Sequence, residues 1–138
     1  LTLADVAALK AADGQFVVSP DCNVEVIKAT KAAGMNSYPG VFTASECFAA
    51  IHAGADGLKL FPASVLGTSG LKALRAVLPS TIDAYAVGGA GPDNFDQWHT
   101  AGANGFGIGT AIYKPGDDAA TVRAKADAIV AAYDKVFG

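Results

Sequence analysis

The sequence has 138 residues, 51% of them hydrophobic, with 16 glycines and a formal net charge of -3 from 10 Lys and Arg against 13 Asp and Glu. That composition fits one folded domain spanning residues 1–138 and excludes a disordered chain. An acidic balance, a pI near 5.1 and no run of Lys or Arg argue against nucleic acid or an anionic membrane as the main partner. A small anionic metabolite stays open.

No apolar stretch reaches the roughly 18 to 20 residues that a membrane helix needs, and no basic-then-apolar leader opens the chain, so a cytoplasmic protein is expected. Cys22 and Cys47 lack the spacing of a zinc or redox pair. Both are expected to be reduced, at least half-buried, and placed in helical segments.

In chain order, Thr2 precedes leucines and alanines at helical spacing, which predicts a helix near 3–12. Ala11-Ala-Asp-Gly14 then leads into the strand 16–18, and Ala32-Ala-Gly34 ends a helix near 23–33 and leads into a strand near 35–41. Thr43-Ala-Ser-Glu46 is a capping box for a helix near 44–53. Ala53-Gly-Ala-Asp-Gly57 hands over to a strand near 58–61, and helix 68–78 and strand 84–88 follow. Gly91-Pro92 places proline at the first position of a helix near 92–101. Ala101-Gly-Ala-Asn-Gly105 repeats the earlier pentapeptide before a strand near 106–112, and helix 117–136 closes the chain. The unit is helix, glycine, strand.

Alternation of helices with apolar strands predicts an α/β fold whose parallel sheet is covered by helices. Length favours an open doubly wound sheet, whereas the even spacing of roughly 20 to 25 residues per unit and the short connections favour a barrel of eight units. Five strands would make a barrel missing about three.

Seven of the eight lysines suit the solvated face of a helix, among them Lys10, Lys72 and Lys125. Lys59 does not. It lies in Gly57-Leu-Lys-Leu-Phe-Pro62, within a strand expected to be buried on both sides, where an ammonium is costly. Desolvation favours the free amine, which can attack a carbonyl carbon to form a Schiff base; the competing reading is a structural lysine snorkelling from a strand end. Val87-Gly-Gly-Ala-Gly91, where a strand runs into a helix, suggests an anion site of backbone N–H groups, and Gly107-Ile-Gly109-Thr110 would add more N–H groups and a hydroxyl. Turns also use glycine, so each cluster alone is weak. His52 and His99 fall late in different helices and give zinc no support. No metal and no cofactor are expected.

The strand Leu58-Lys59-Leu60-Phe61-Pro62-Ala63-Ser64 with the downstream Ala86-Val87-Gly88-Gly89 resembles the class I aldolases that cleave 2-keto-3-deoxy-6-phospho sugar acids. Val17-Val18-Ser19-Pro20, Tyr38-Pro39-Gly40-Val41 and Gly107-Ile108-Gly109-Thr110 also look like that family's strand ends, so the similarity runs through the whole chain. The resemblance implies a (β/α)₈ TIM barrel, usually a homotrimer, that releases pyruvate and glyceraldehyde 3-phosphate without a metal. It implies Lys59 as the Schiff-base lysine, and Pro39, Phe61, Val87, Gly88, Gly89, Gly107, Gly109 and Thr110 as substrate-binding residues. Gluconate enzymes of the family typically carry Glu where Ser64 stands and Thr where Val87 stands, so the galactonate branch looks closer.

Leu1 corresponds to a point just after the family's third strand, and no residue here takes the roles of the Arg, general-base Glu and Thr found on the first three. An incomplete barrel is therefore expected, an arc of about five sequentially ordered strands with Lys59 inside it beside the glycine loops. A sugar-phosphate-binding domain without catalysis and a flavodoxin-like nucleotide binder are the alternatives, and the second requires a shuffled strand order.

Overall fold

The computed structural model describes residues 1–138. Its elements alternate as α1 (Leu3–Ala11), β1 (Phe16–Val18), α2 (Val24–Ala32), β2 (Asn36–Tyr38), β3 (Gly40–Val41), α3 (Ala44–His52), β4 (Gly57–Leu60), α4 (Ala63–Arg75), β5 (Asp83–Val87), α5 (Phe95–Thr100), β6 (Gly105–Gly107) and α6 (Ala119–Phe137).

Every strand pair is parallel and follows chain order, β1–β2 in one ladder and β3–β4–β5–β6 in the other. The predicted strand 35–41 is divided because Pro39 has no N–H to donate to a ladder. Its carbonyl still accepts the Lys59 N–H at 2.9 Å, and Ser37 and Val41 carbonyls accept from Asp56 and Phe61, so the chain from 36 to 41 runs beside β4 without a gap. Sequential order rules out the shuffled sheet of a nucleotide binder.

Helices cover one face only. Leu58, Leu60, Ala84 and Ala86 are fully buried beneath α3, α4 and α5, together with Cys47, Leu71, Phe95 and Trp98. A smaller cluster of Val6, Val17, Val26 and Met35 joins α1 and α2 to β1. On the opposite face Phe16 and Val18 are exposed, and Lys59, Tyr85 and Val87 are half-buried. The expectation that β4 is buried on both sides is thus corrected, because the face carrying Lys59 looks into an open concavity.

The repeated pentapeptides build the same joint twice. Gly54 and Gly102 take positive φ of 96° and 104° to end their helices. Two residues on, Asp56 accepts the Ser37 N–H at 2.8 Å and is bound by Lys31, while Asn104 accepts the Ala84 N–H at 2.9 Å and is bound by Arg75. Each side chain therefore fastens the neighbouring strand's start to a helix.

Four element boundaries depart from expectation. α4 begins at Ala63 rather than 68 and ends at Arg75, and its expected start was obscured by Gly67, whose φ of 71° kinks it. α5 begins only at Phe95, because Asn94 caps a turn that starts at Gly91. β6 stops at Gly107 rather than 112, since the Gly109 carbonyl takes the Ile112 and Tyr113 N–H groups and turns the chain. Cys22 precedes α2 instead of lying in it, half-buried with its thiol on the Glu46 carbonyl, and Cys47 is fully buried in α3.

Candidate active site

Lys59 sits on β4 between residues whose side chains point the other way into the core. In the sheet its neighbours in register are Gly40 and Tyr85. Its ammonium forms no ion pair and lies 4.6 Å from the centre of the Phe61 ring. Burial pushes its pKa below the ordinary lysine value of 10.5. Desolvation favours the free amine, so it loses its proton more readily than a surface lysine.

Below Lys59 the concave face is floored by aromatic rings seated over glycines. Tyr38 and Tyr85 meet edge to face at 5.7 Å between centroids. A Cβ on Gly57 would come within 2.8 Å of the Tyr85 ring, and one on Gly105 within 3.1 Å, so both strands need glycine there. The Tyr85 hydroxyl donates to Asp83 at 3.2 Å, and burial followed by that carboxylate raises its pKa. Above this floor lies a mainly apolar cavity of about 330 Å³ lined by Phe16, Val18, Tyr38, Lys59, Tyr85, Val87, Phe106 and Gly107.

A second, larger cavity of about 560 Å³ opens past Phe61, bounded by the Gly88–Gly91 loop and by Gly109, Thr110 and Lys114. Gly88 and Gly89 have φ of 86° and 92°, and a Cβ on Gly89 would lie 2.6 Å from that of Ser64. The Gly88 carbonyl accepts the Ser64 N–H at 2.8 Å, which ties this loop to the start of α4. Asn94 braces it from the other side: its Oδ1 accepts the Gly91 N–H at 3.0 Å and its Nδ2 donates to the Gly89 carbonyl at 3.0 Å. The N–H groups of Gly89, Ala90, Thr110 and Ala111 donate to no acceptor in the protein. Free N–H groups converging from two loops form a nest suited to an anion. The expected run of strand directly into helix at this site is corrected, because α5 starts four residues beyond Gly91 and its dipole does not supply the nest.

Val87 and Gly107, adjacent in register, line both cavities, so the lysine chamber and the glycine cradle adjoin there. Eight of the nine residues expected at the site lie along this path. Pro39 lines neither cavity; it is fully buried and acts on Lys59 through the ladder. Among the lining residues that were not anticipated, two polar ones bear on the cradle. Asn94 was read as ordinary helix sequence, and Lys114 was grouped with lysines on helix faces, whereas it lies in the loop before α6.

The family model described as "Aldolase: KDPG and KHG aldolase" matches residues 1–125. The chain belongs to the KDPG and KHG aldolase family. It is 49% identical over 138 residues to the probable 2-dehydro-3-deoxy-6-phosphogalactonate aldolase of Rhizobium meliloti (strain 1021), covering 100% of this chain and 65% of that protein. It is 44% identical over 128 residues to the 2-dehydro-3-deoxy-6-phosphogalactonate aldolase of Escherichia coli (strain K12), covering 93% of this chain and 62% of that one. The solved structure described as native KDPGal superposes with a TM-score of 0.96 at 42% identity, over 99% of this chain and 66% of that chain. The KDPG and KHG aldolase chain therefore spans just under two thirds of these relatives' length, and its open arc is part of an aldolase barrel.

Proposed function

We propose that this chain carries the Schiff-base lysine and phosphate cradle of an aldolase that cleaves 2-dehydro-3-deoxy-6-phosphogalactonate into pyruvate and D-glyceraldehyde 3-phosphate. The observation that supports this reading best is that the two cavities adjoin at Val87 and Gly107, with an unpaired lysine in one and free backbone N–H groups in the other. A ketone at Lys59 and a phosphate at the glycines are then two ends of one ligand.

In this reading the neutral Lys59 amine adds to the C2 carbonyl to give a carbinolamine, which expels water as an iminium. Loss of the C4 hydroxyl proton to a base breaks the C3–C4 bond, the bonding electrons pass into the iminium, and glyceraldehyde 3-phosphate leaves. The remaining enamine takes a proton at C3, and water releases pyruvate and the free amine. The half-desolvated setting of Lys59 supplies the amine, and Val18, Val87 and Phe106 give its chamber apolar walls. The chamber that Lys59 lines carries no carboxylate or histidine to serve as the general base.

Galactonate is favoured over gluconate because Val87, at the junction of the cavities, offers no hydroxyl to the substrate, and because Ser64 rather than Glu stands beside Gly89. We further infer that the enzyme with all eight βα units is a homotrimer acting in the cytoplasm, and sedimentation of that whole barrel at several concentrations checks the trimer. The test of the chemistry is incubation with pyruvate and borohydride. A reduced pyruvyl adduct on Lys59, located by peptide mass, is expected, and no adduct on the intact protein overturns the aldolase reading in favour of a binding domain.

A further inference from the structure

The cradle's backbone donors are dipoles, and a phosphate dianion bound by dipoles alone lacks a counter-charge. Two lining residues carry formal charge, Asp93 and Lys114. Asp93 also lines the groove between α5 and α6, whereas Lys114 lines only the cradle among the cavities described. Lys114 forms no ion pair. Its backbone, by contrast, is held tightly. The Asp117 carboxylate accepts the Lys114 N–H at 2.8 Å and the Lys125 ammonium at 2.5 Å, and the Asp117 N–H returns to the Lys114 carbonyl at 3.0 Å. Gly116, at φ 96°, allows the chain to close this turn. The loop is thereby pinned to the body of α6, while the Lys114 ammonium, near enough to Asp117 to help lower its pKa, forms no ion pair and belongs to a residue lining the cradle.

We propose that Lys114 is the cationic partner of the substrate's phosphate, a binding residue held in place by the Asp117–Lys125 pair. The inference rests on the phosphorylated-substrate reading given above. An ammonium in the lining adds a full positive charge that the backbone amides cannot supply, and it offsets the negative charge of Asp93, which lines the same cavity. Lys125 touches no ligand and acts only through the loop.

The test uses the intact protein and two probes that separate the site from the chemistry. Phosphorus NMR line broadening of inorganic phosphate reads the cradle alone, and borohydride trapping of pyruvate reads Lys59 alone. Lys114→Met is expected to raise KM for the phosphorylated substrate about tenfold or more, to reduce the phosphate broadening, and to leave pyruvate trapping unchanged. Lys114→Arg is expected to restore binding, and raising the ionic strength is expected to weaken the parent more than Lys114→Met. Unchanged KM and unchanged phosphate broadening in Lys114→Met overturn the assignment. Equal loss of pyruvate trapping and phosphate broadening also overturns it, because that pattern marks general damage. A parent that broadens phosphate but never traps pyruvate fails the aldolase reading instead, and loss of that broadening in Lys114→Met still upholds Lys114.

Discussion

At the scale of single residues, Lys59 bears a conflict that its chemistry resolves. Its ammonium is partly desolvated and has a ring beside it but no carboxylate. Lys59→Met should therefore abolish the pyruvate adduct while melting at the same temperature as the parent or slightly higher, since Met fills similar space without the charge. The pH dependence has a fixed sign. Because burial lowers the folded-state pKa below 10.5, the charged form opposes folding, and that opposition fades as pH rises through the lowered value. Adduct trapping should rise with pH over the same window and level off below 10.5; a rise that continues through the ordinary lysine range would contradict a desolvated amine.

The glycines of the cradle differ as test sites. Gly89 has positive φ and a close contact to Ser64, so Gly89→Ala strains the backbone and should lower the melting temperature as well as weakening substrate. At Gly109 an added Cβ meets nothing within 4 Å. Gly109→Ala should leave the melting temperature and pyruvate trapping intact yet raise KM for the phosphorylated substrate by about tenfold, because the added methyl would stand in the open space of the cradle that Gly109 lines. An unchanged KM would remove Gly109 from the phosphate site.

At the scale of elements, the helix starts were the most legible feature, because caps are written in adjacent residues. Thr43 and Glu46 form the reciprocal box read from sequence, and Glu46 also accepts the Phe42 N–H at 2.9 Å. Those backbone hydrogen bonds hold the Glu46 carboxyl below its usual value of 4.5. A depressed carboxylate stabilises fully above the unfolded pKa, and that stability is lost as pH falls through 4.5 toward the folded value. Glu46→Gln should thus narrow the gap in melting temperature between pH 6 and pH 3 relative to the parent, and Thr43→Ala should cost about 1 kcal/mol at pH 6, less at pH 3 where its hydrogen bond to the Glu46 carboxylate is weakened. Strand ends and the sheet's break were less legible. Pro39 interrupts a ladder only because its partner strand presents a carbonyl-accepting register there, and β6 ends early only because the Gly109 carbonyl captures two later N–H groups. The same limit hid Lys114, whose value comes from a turn closed by Asp117 and Lys125, eight residues apart in sequence.

For the molecule as a whole, one face of the sheet is finished and the other is not. The helix-covered face buries Leu58, Leu60, Ala84 and Ala86 completely, while the concave face leaves Phe16 and Val18 exposed at 56% and 49%, beside a cavity that is mainly apolar. Both outermost strands, β1 and β6, pair on one side only. α6 has no buried residue and holds on through the Phe106, Tyr133 and Phe137 rings. Unpaired strand edges beside exposed apolar side chains favour association with other chains. A preparation of these 138 residues by themselves should therefore bind an apolar dye and sediment as a range of species. Co-expression with the segment of the Rhizobium relative that lies outside its match to this chain, where the resemblance puts the first three βα units, should reduce the dye signal and yield a discrete complex, because parallel strands added along β1 and β6 would cover both edges and the Phe16 and Val18 face. A sharp monomer boundary with no dye binding, unchanged by the added segment, would show that the arc is stable as it stands and that the concave face needs no partner.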